Sequence, residues 1–196
     1  MQGREAAVGD AGDEAAGRAE ALRARAARVR LAAFDVDGTL ADGRLYIGGG
    51  GEAMKAFSVH DGFGLRLLRE AGIVVAIVTA RRSTIVEARA AELRIDEVHQ
   101  GVADKAQALR ALCEAHHVGL ADCAFVGDDW PDLHAMSIAG FAATVSDAPR
   151  AVRERAHWVS TLPAGRGAVR EFAEHLLRAR GDFDAALERY AGTPTR

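Results

Sequence analysis

The stretch VRLAAFDVDGT (29–39) runs from a short, largely apolar segment straight into two carboxylates set two residues apart, then a glycine and a threonine. An apolar run ending in an acidic turn suits a buried strand whose carboxyl end opens on solvent. Outward from it, strand and helix patterns alternate. Residues 73–78 are β-branched and continuously apolar, as a central parallel strand requires. Asp61 is placed to cap a helix carrying Phe63, Leu65, Leu67 and Leu68, and Gly72 stops it. Further helices are predicted over 83–93, 104–116, after the strand 123–126 to about 139, near 148–154 and over 167–180. Further strands are predicted over 97–99, 123–126, 141–145 and 157–159. The arms 45–47 and 53–59 flank four successive glycines, a hairpin signal. Together these predict an α/β fold: a doubly wound parallel sheet covered on both faces, with a β-hairpin flap over about 44–59. Residues 1–28 read as a mobile tail and a short helix at 20–28, 29–180 as one domain, and 181–196 as a tail.

At 196 residues, 49% apolar and 27% charged, the chain has the balance of one soluble globular domain. A net charge of −3 gives no general affinity for nucleic acid or an anionic membrane, so a phosphorylated substrate would need a locally basic site. The longest apolar run, 73–78, is too short to span a bilayer, and the first thirty residues lack the apolar core of a secretion signal. Cys113 and Cys123 lack zinc spacing and read as two reduced core thiols, which points to the cytoplasm.

Parallel sheets bind ligands at the carboxyl ends of their strands. There the predicted strands deliver Asp35, Thr79, Gln100 and, after one glycine, Asp128. Two carboxyls two residues apart can take different roles, one attacking phosphorus and one passing a proton. Gly38 lets the backbone between them bend, although D-x-D-G also serves as a simple Asx-type turn. Asp128, Asp129 and Asp132 add carboxylates that would repel one another unless a hard cation such as Mg²⁺ sat among them. Asp129 and Asp132 also fit a helix start decorated with acids, leaving Asp128 the better ligand. Thr79 can offer a hydroxyl to a phosphate oxygen. Lys105 can reach an aspartyl phosphate, and by itself would be an ordinary solvated lysine.

The order DVDGT, Thr79, Lys105 and GDDWPD (127–132) resembles the four motifs of haloacid dehalogenase superfamily phosphatases. The resemblance implies Asp35 as nucleophile and Asp37 as general acid/base. It also implies Mg²⁺ held by the Asp35 side chain, the Asp37 carbonyl and Asp128, with Asp129 and Asp132 in support. No inserted cap fits between Leu40 and Thr79 or between Thr79 and Lys105, as in capless members. AFSVHDGFGLRLL (56–68), VTAR (78–81), QGVADK (100–105) and GRGAVREF (165–172) extend the likeness. They resemble the 3-deoxy-D-manno-octulosonate 8-phosphate phosphatase family over nearly the whole chain outside the tails.

That family implies a homotetramer with shared active sites and the hairpin packed between subunits. Its substrate contacts carry over to Asp37, to Ser58, Val59, His60, Asp61 and Gly62, and to Arg66, Arg81, Arg89 and Lys105. The Gly165-Arg166-Gly167 stretch would close as a lid. The arginines suit a sugar acid bearing both phosphate and carboxylate. A related phosphatase of nine-carbon keto-deoxy sugar acids resembles Glu at the Arg81 position, so Arg81 favours the eight-carbon substrate. Thr39 replaces a usual Val, Ala80 a usual Gly, His60 a frequent Arg and Ala164 a Gly. Readings from other classes are a receiver-type signalling domain, in which an acidic pair follows the first strand and the phosphorylated Asp ends a middle strand, and a catalytically silent scaffold.

Overall fold

The computed structural model describes residues 5–192, with side chains from residue 16 onward. The chain runs α1 (Glu5–Ala27), β1 (Leu31–Phe34), β2 (Tyr46–Gly48), β3 (Gly51–Met54), α2 (Val59–Glu70), β4 (Val74–Thr79), α3 (Thr84–Glu92) and β5 (Glu97–Gln100). It continues through α4 (Lys105–Ala115), β6 (Cys123–Val126), α5 (Leu133–Ile138), β7 (Phe141–Thr144), α6 (Arg150–Arg153), β8 (Trp158–Val159), α7 (Ala168–Arg180) and α8 (Phe183–Ala191). Six strands form one parallel sheet in the order β5-β4-β1-β6-β7-β8, and β2-β3 stands apart as an antiparallel hairpin. The chain steps outward from β1 through β4 to β5, then crosses back and steps the other way through β6, β7 and β8. Its direction therefore reverses between β1 and β6, where the following loops part and leave a crevice.

Alternation along each strand sorts the core into two layers. Ala32, Phe34, Val75, Ile77, Val126 and Phe141 face α2, α3 and α7, with Phe34 edge-on to Phe172. Leu31, Ala33, Ala76, Val78, Phe125 and Ala142 face α4 and α5, beside the buried, free Cys113 and Cys123. Each large side chain so buried contributes roughly 1.5–3 kcal/mol. No cap interrupts the fold: between β1 and β4 lie only the hairpin and α2, and between β4 and Lys105 only α3 and β5.

Side-chain caps set the helix starts nearest the crevice. Ser83 caps α3, and Asp104 caps α4 by accepting from the N–H groups of Ala106 and Gln107. At α2 the cap is Ser58, which accepts from Asp61 N–H, so Asp61 lies inside the helix and not at its cap. The hairpin is tighter than its sequence pattern suggested, because β3 starts within the glycines and ends at Met54.

The ends differ more. Helix α1 begins at Glu5, not near residue 20, since a proline-free alanine-rich stretch outweighs its scattered glycines. Its last turns are anchored by Ala26 and Leu22 in the core, and Arg28 beyond its end pairs with Asp122 at 2.7 Å. The remaining residues assigned to that tail, 1–4, lie outside the described residues, as do 193–196 of the carboxyl-terminal one. Most of the expected carboxyl-terminal tail is helix α8, because Phe183 and Ala186 give it an apolar face that packs on Leu67 and Leu177.

Candidate active site

The end of β1 delivers Asp35, and its N–H donates to Val126 O of β6 at 2.9 Å. The carboxyl is buried, with Oδ1 2.7 Å from Lys105 Nζ at the first residue of α4. The same ammonium donates to Asp132 Oδ1 at 2.6 Å. Asp132 Oδ2 accepts from the N–H groups of Asp128 and Asp129 at 3.0 and 3.2 Å, which shapes the loop after β6. Carboxylate oxygens of Asp35, Asp128 and Asp132 lie within 4.8 Å of one another.

Gly38 makes this approach sterically feasible. Its φ is +90°, and a Cβ there would stand 2.1 Å from Asp128 Oδ2. Thr39 Oγ1 donates to Asp128 Oδ1 at 3.2 Å, which the commoner Val could not do.

Electrostatics mark the cluster as short of positive charge. Burial, then repulsion from Asp132, pushes Asp35 up to about 6 against the pull of Lys105. Burial, then repulsion from Asp35 and Asp132, pushes Asp128 up to about 7. Burial works against the charged Lys105, but the carboxylates of Asp35 and Asp132 outweigh it and raise its pKa. A buried oxygen-only donor set with unbalanced negative charge fits a hard divalent cation such as Mg²⁺. Two of the three carboxylates keep oxygens for it. Asp132 does not, because Lys105 and two backbone amides already occupy its oxygens.

Asp37 has different company. Its Oδ1 bonds to Lys55 Nζ from the hairpin's return, and its Oδ2 lies 3.6 Å from Arg81 Nε. The side chain of Lys55 is buried, with Glu52 Oε1 at 3.1 Å, and Glu52 also meets Arg81 and Ser83. The two acids of D-x-D thus sit in separate networks. Thr79, buried at the end of β4, completes the floor next to β1.

Residues 95–172 match the haloacid dehalogenase-like hydrolase family. The 3-deoxy-D-manno-octulosonate 8-phosphate phosphatase of Escherichia coli K12 is 42% identical over 163 residues, 83% of this chain and 87% of its own. The chain belongs to this phosphatase family. The Moraxella catarrhalis phosphatase, solved with a magnesium ion, a phosphate ion and 3-deoxy-D-manno-octulosonate (KDO), is 40% identical with a TM-score of 0.84, covering 86% of this chain and 97% of that one. The cobalt-bound Haemophilus influenzae phosphatase is 35% identical with a TM-score of 0.80, covering 82% of this chain and 94% of that one.

Not every residue suggested by the family likeness reaches the carboxylates of this family member. Arg66 is tied to Glu70 at 2.7 Å, and Arg89 to Glu92 at 2.7 Å and to Ser58 O at 3.4 Å. Both line a groove between α2 and α3 that contains none of Asp35, Asp37 and Lys105. Val59 and His60 are exposed on the first turn of α2, Gly62 packs against the Arg89 guanidinium, and Asp61 is buried against α7. Asp129 caps the turn at Trp130, its Oδ1 accepting from that N–H at 2.8 Å. Sequence reasoning missed Lys55 and Glu52 and passed over Thr39. The one available signal was a Glu and a Lys in the hairpin's return arm, just before the segment 56–68.

Proposed function

We propose that this protein is a Mg²⁺-dependent phosphatase that hydrolyses 3-deoxy-D-manno-octulosonate 8-phosphate to the free sugar acid and inorganic phosphate. It would act in the cytoplasm as a homotetramer and supply lipopolysaccharide precursor synthesis. The separate networks of Asp35 and Asp37 carry this reading, because hydrolysis through a phosphoenzyme needs two carboxyls that perform different tasks.

In the first half-reaction an Asp35 oxygen bonds to phosphorus and the ester bond to the sugar oxygen breaks. Asp37 gives that oxygen its proton, and Lys105 steadies the carboxyl that becomes the aspartyl phosphate. In the second, Asp37 takes a proton from water as the water oxygen attacks phosphorus, phosphate leaves and Asp35 is restored. Thr79 offers its hydroxyl to a phosphate oxygen. Asp35, Asp128 and the Asp37 carbonyl would hold Mg²⁺, with Asp129 and Asp132 in support; when bound, the ion neutralises the phosphate dianion. A second carboxyl at Asp37, two residues from Asp35, supports turnover of the phosphoenzyme over a receiver-type signalling role.

For the sugar acid, Arg81 beside Asp37 supports recognition of the substrate carboxylate. Ser58, Val59, His60 and Gly62, with Arg66 and Arg89, would add contacts across a subunit boundary. Leu45, Ile47, Met54 and Val59 stand exposed on and beside the hairpin, which supports such a boundary.

A panel of sugar phosphates assayed with Mg²⁺ tests the proposal. The eight-carbon acid should be preferred over the nine-carbon one, and equal rates on all would remove the narrow assignment. Arg81→Glu should lower kcat/KM for the eight-carbon acid on the order of tenfold or more, and lower p-nitrophenyl phosphate hydrolysis less. Equal loss on both would contradict the role given to Arg81.

A further inference from the structure

We propose that Asp61 is a positioning residue, whose carboxylate moors the strap of residues 163–168 over the loop carrying Asp37 and does not touch substrate. The proposal rests on reading the Asp35 cluster as the phosphatase site.

Asp61 is only 1% exposed, whereas Val59 and His60 beside it point to solvent. Both its oxygens are spoken for: Oδ2 accepts from Gly167 N–H at 3.0 Å and Oδ1 from Arg170 N–H at 2.8 Å. These amides open α7, where N–H groups lack helical partners and a negative charge is favoured. Turning the carboxylate toward an anionic sugar acid would strand two N–H groups and set like charges together.

The strap leads from α7 back to the crevice. Ala164 N–H donates to Asp147 Oδ1 at 3.0 Å, and Gly165 N–H donates to Thr39 O at 3.2 Å. Gly165 adopts φ +62°, and a Cβ there would stand 2.8 Å from Asp42 N, so the strap lies flat on the 39–42 loop. Thr39 in turn donates its hydroxyl to Asp128. Asp61 therefore sits at one end of a run of contacts through α7, Gly165 and Thr39 that ends at Asp128. Loosening that end should misplace the reacting groups without removing any of them.

Asp61→Asn keeps the shape but sets an amide N–H₂ against one of the two backbone donors. Steady-state kinetics on 3-deoxy-D-manno-octulosonate 8-phosphate and on p-nitrophenyl phosphate should show kcat lowered on the order of tenfold for both. KM should stay within about twofold, and hydrogen exchange should quicken at Gly167 and Arg170. A raised KM for the sugar phosphate alone, with strap protection intact, would make Asp61 a substrate contact and overturn the proposal. Unchanged kinetics would overturn it as well. If Asp61→Asn does not fold, Gly165→Ala loosens the strap from its other end and should lower kcat on both substrates; an unchanged kcat there also overturns it. Asp35→Asn serves as the control, since retained hydrolysis in that variant would sink the site reading and not the strap.

Discussion

Around Asp35 the buried charges have partners from three parts of one chain: Lys105 from α4, Thr39 after β1, and Asp128 and Asp132 from the loop after β6. On the hairpin and the α2–α3 side, Leu45, Ile47, Met54 and Val59 are 50%, 65%, 59% and 79% exposed, and Arg66 and Arg89 pair with glutamates of their own helices. The first region is closed by its own partners, whereas the second leaves large apolar side chains facing water. Reaction chemistry demands fixed distances among few groups, which a single packed sheet edge can supply. Recognition of a sugar acid demands a wall on the far side of the crevice, and here that side ends in apolar side chains facing water.

The contrast is broken most severely at its closed end. Asp35→Asn should cost on the order of 10⁴-fold or more in turnover, with assembly unaltered by sedimentation. Retained turnover would reduce the cluster to scaffolding. At the open end, Ile47→Asp places a charge where a neighbouring hairpin would pack. It should split the proposed homotetramer and lower kcat/KM on the sugar phosphate on the order of tenfold, with a smaller loss on p-nitrophenyl phosphate. An intact assembly with unchanged kinetics would show that the open side needs no second copy.

The smallest effect concerns charge within the closed region. Asp35 and Asp128 are raised to about 6 and about 7 from 3.8, so the metal-free folded protein keeps protons that the unfolded chain releases. Stability in chelator should therefore fall as pH rises from about 4 to about 7. Mg²⁺ should raise the melting temperature more at about pH 8 than at about pH 5. Thermal melts with and without the ion check this, and a Mg²⁺ shift independent of pH would mean that it binds away from these two carboxyls.

What the amino-acid order determined by itself is local. The apolar run before Asp35, the continuous strand 74–79, the capping acid before Lys105 and the alternation of periods follow from short-range sterics and burial, and they specify a parallel sheet with acids at one edge. The tertiary structure alone decided which partner each acid holds. Lys55 reaches Asp37 across 18 positions, Thr39 reaches Asp128 across 89, and Asp61 reaches Gly167 across 106. It also made a helix of the 183–191 stretch, whose apolar face has value only once Leu67 and Leu177 lie beneath it. A hydrogen bond or an ion pair depends on distance and direction between side chains, and no local periodicity encodes those quantities for residues brought together only by the closing of the sheet.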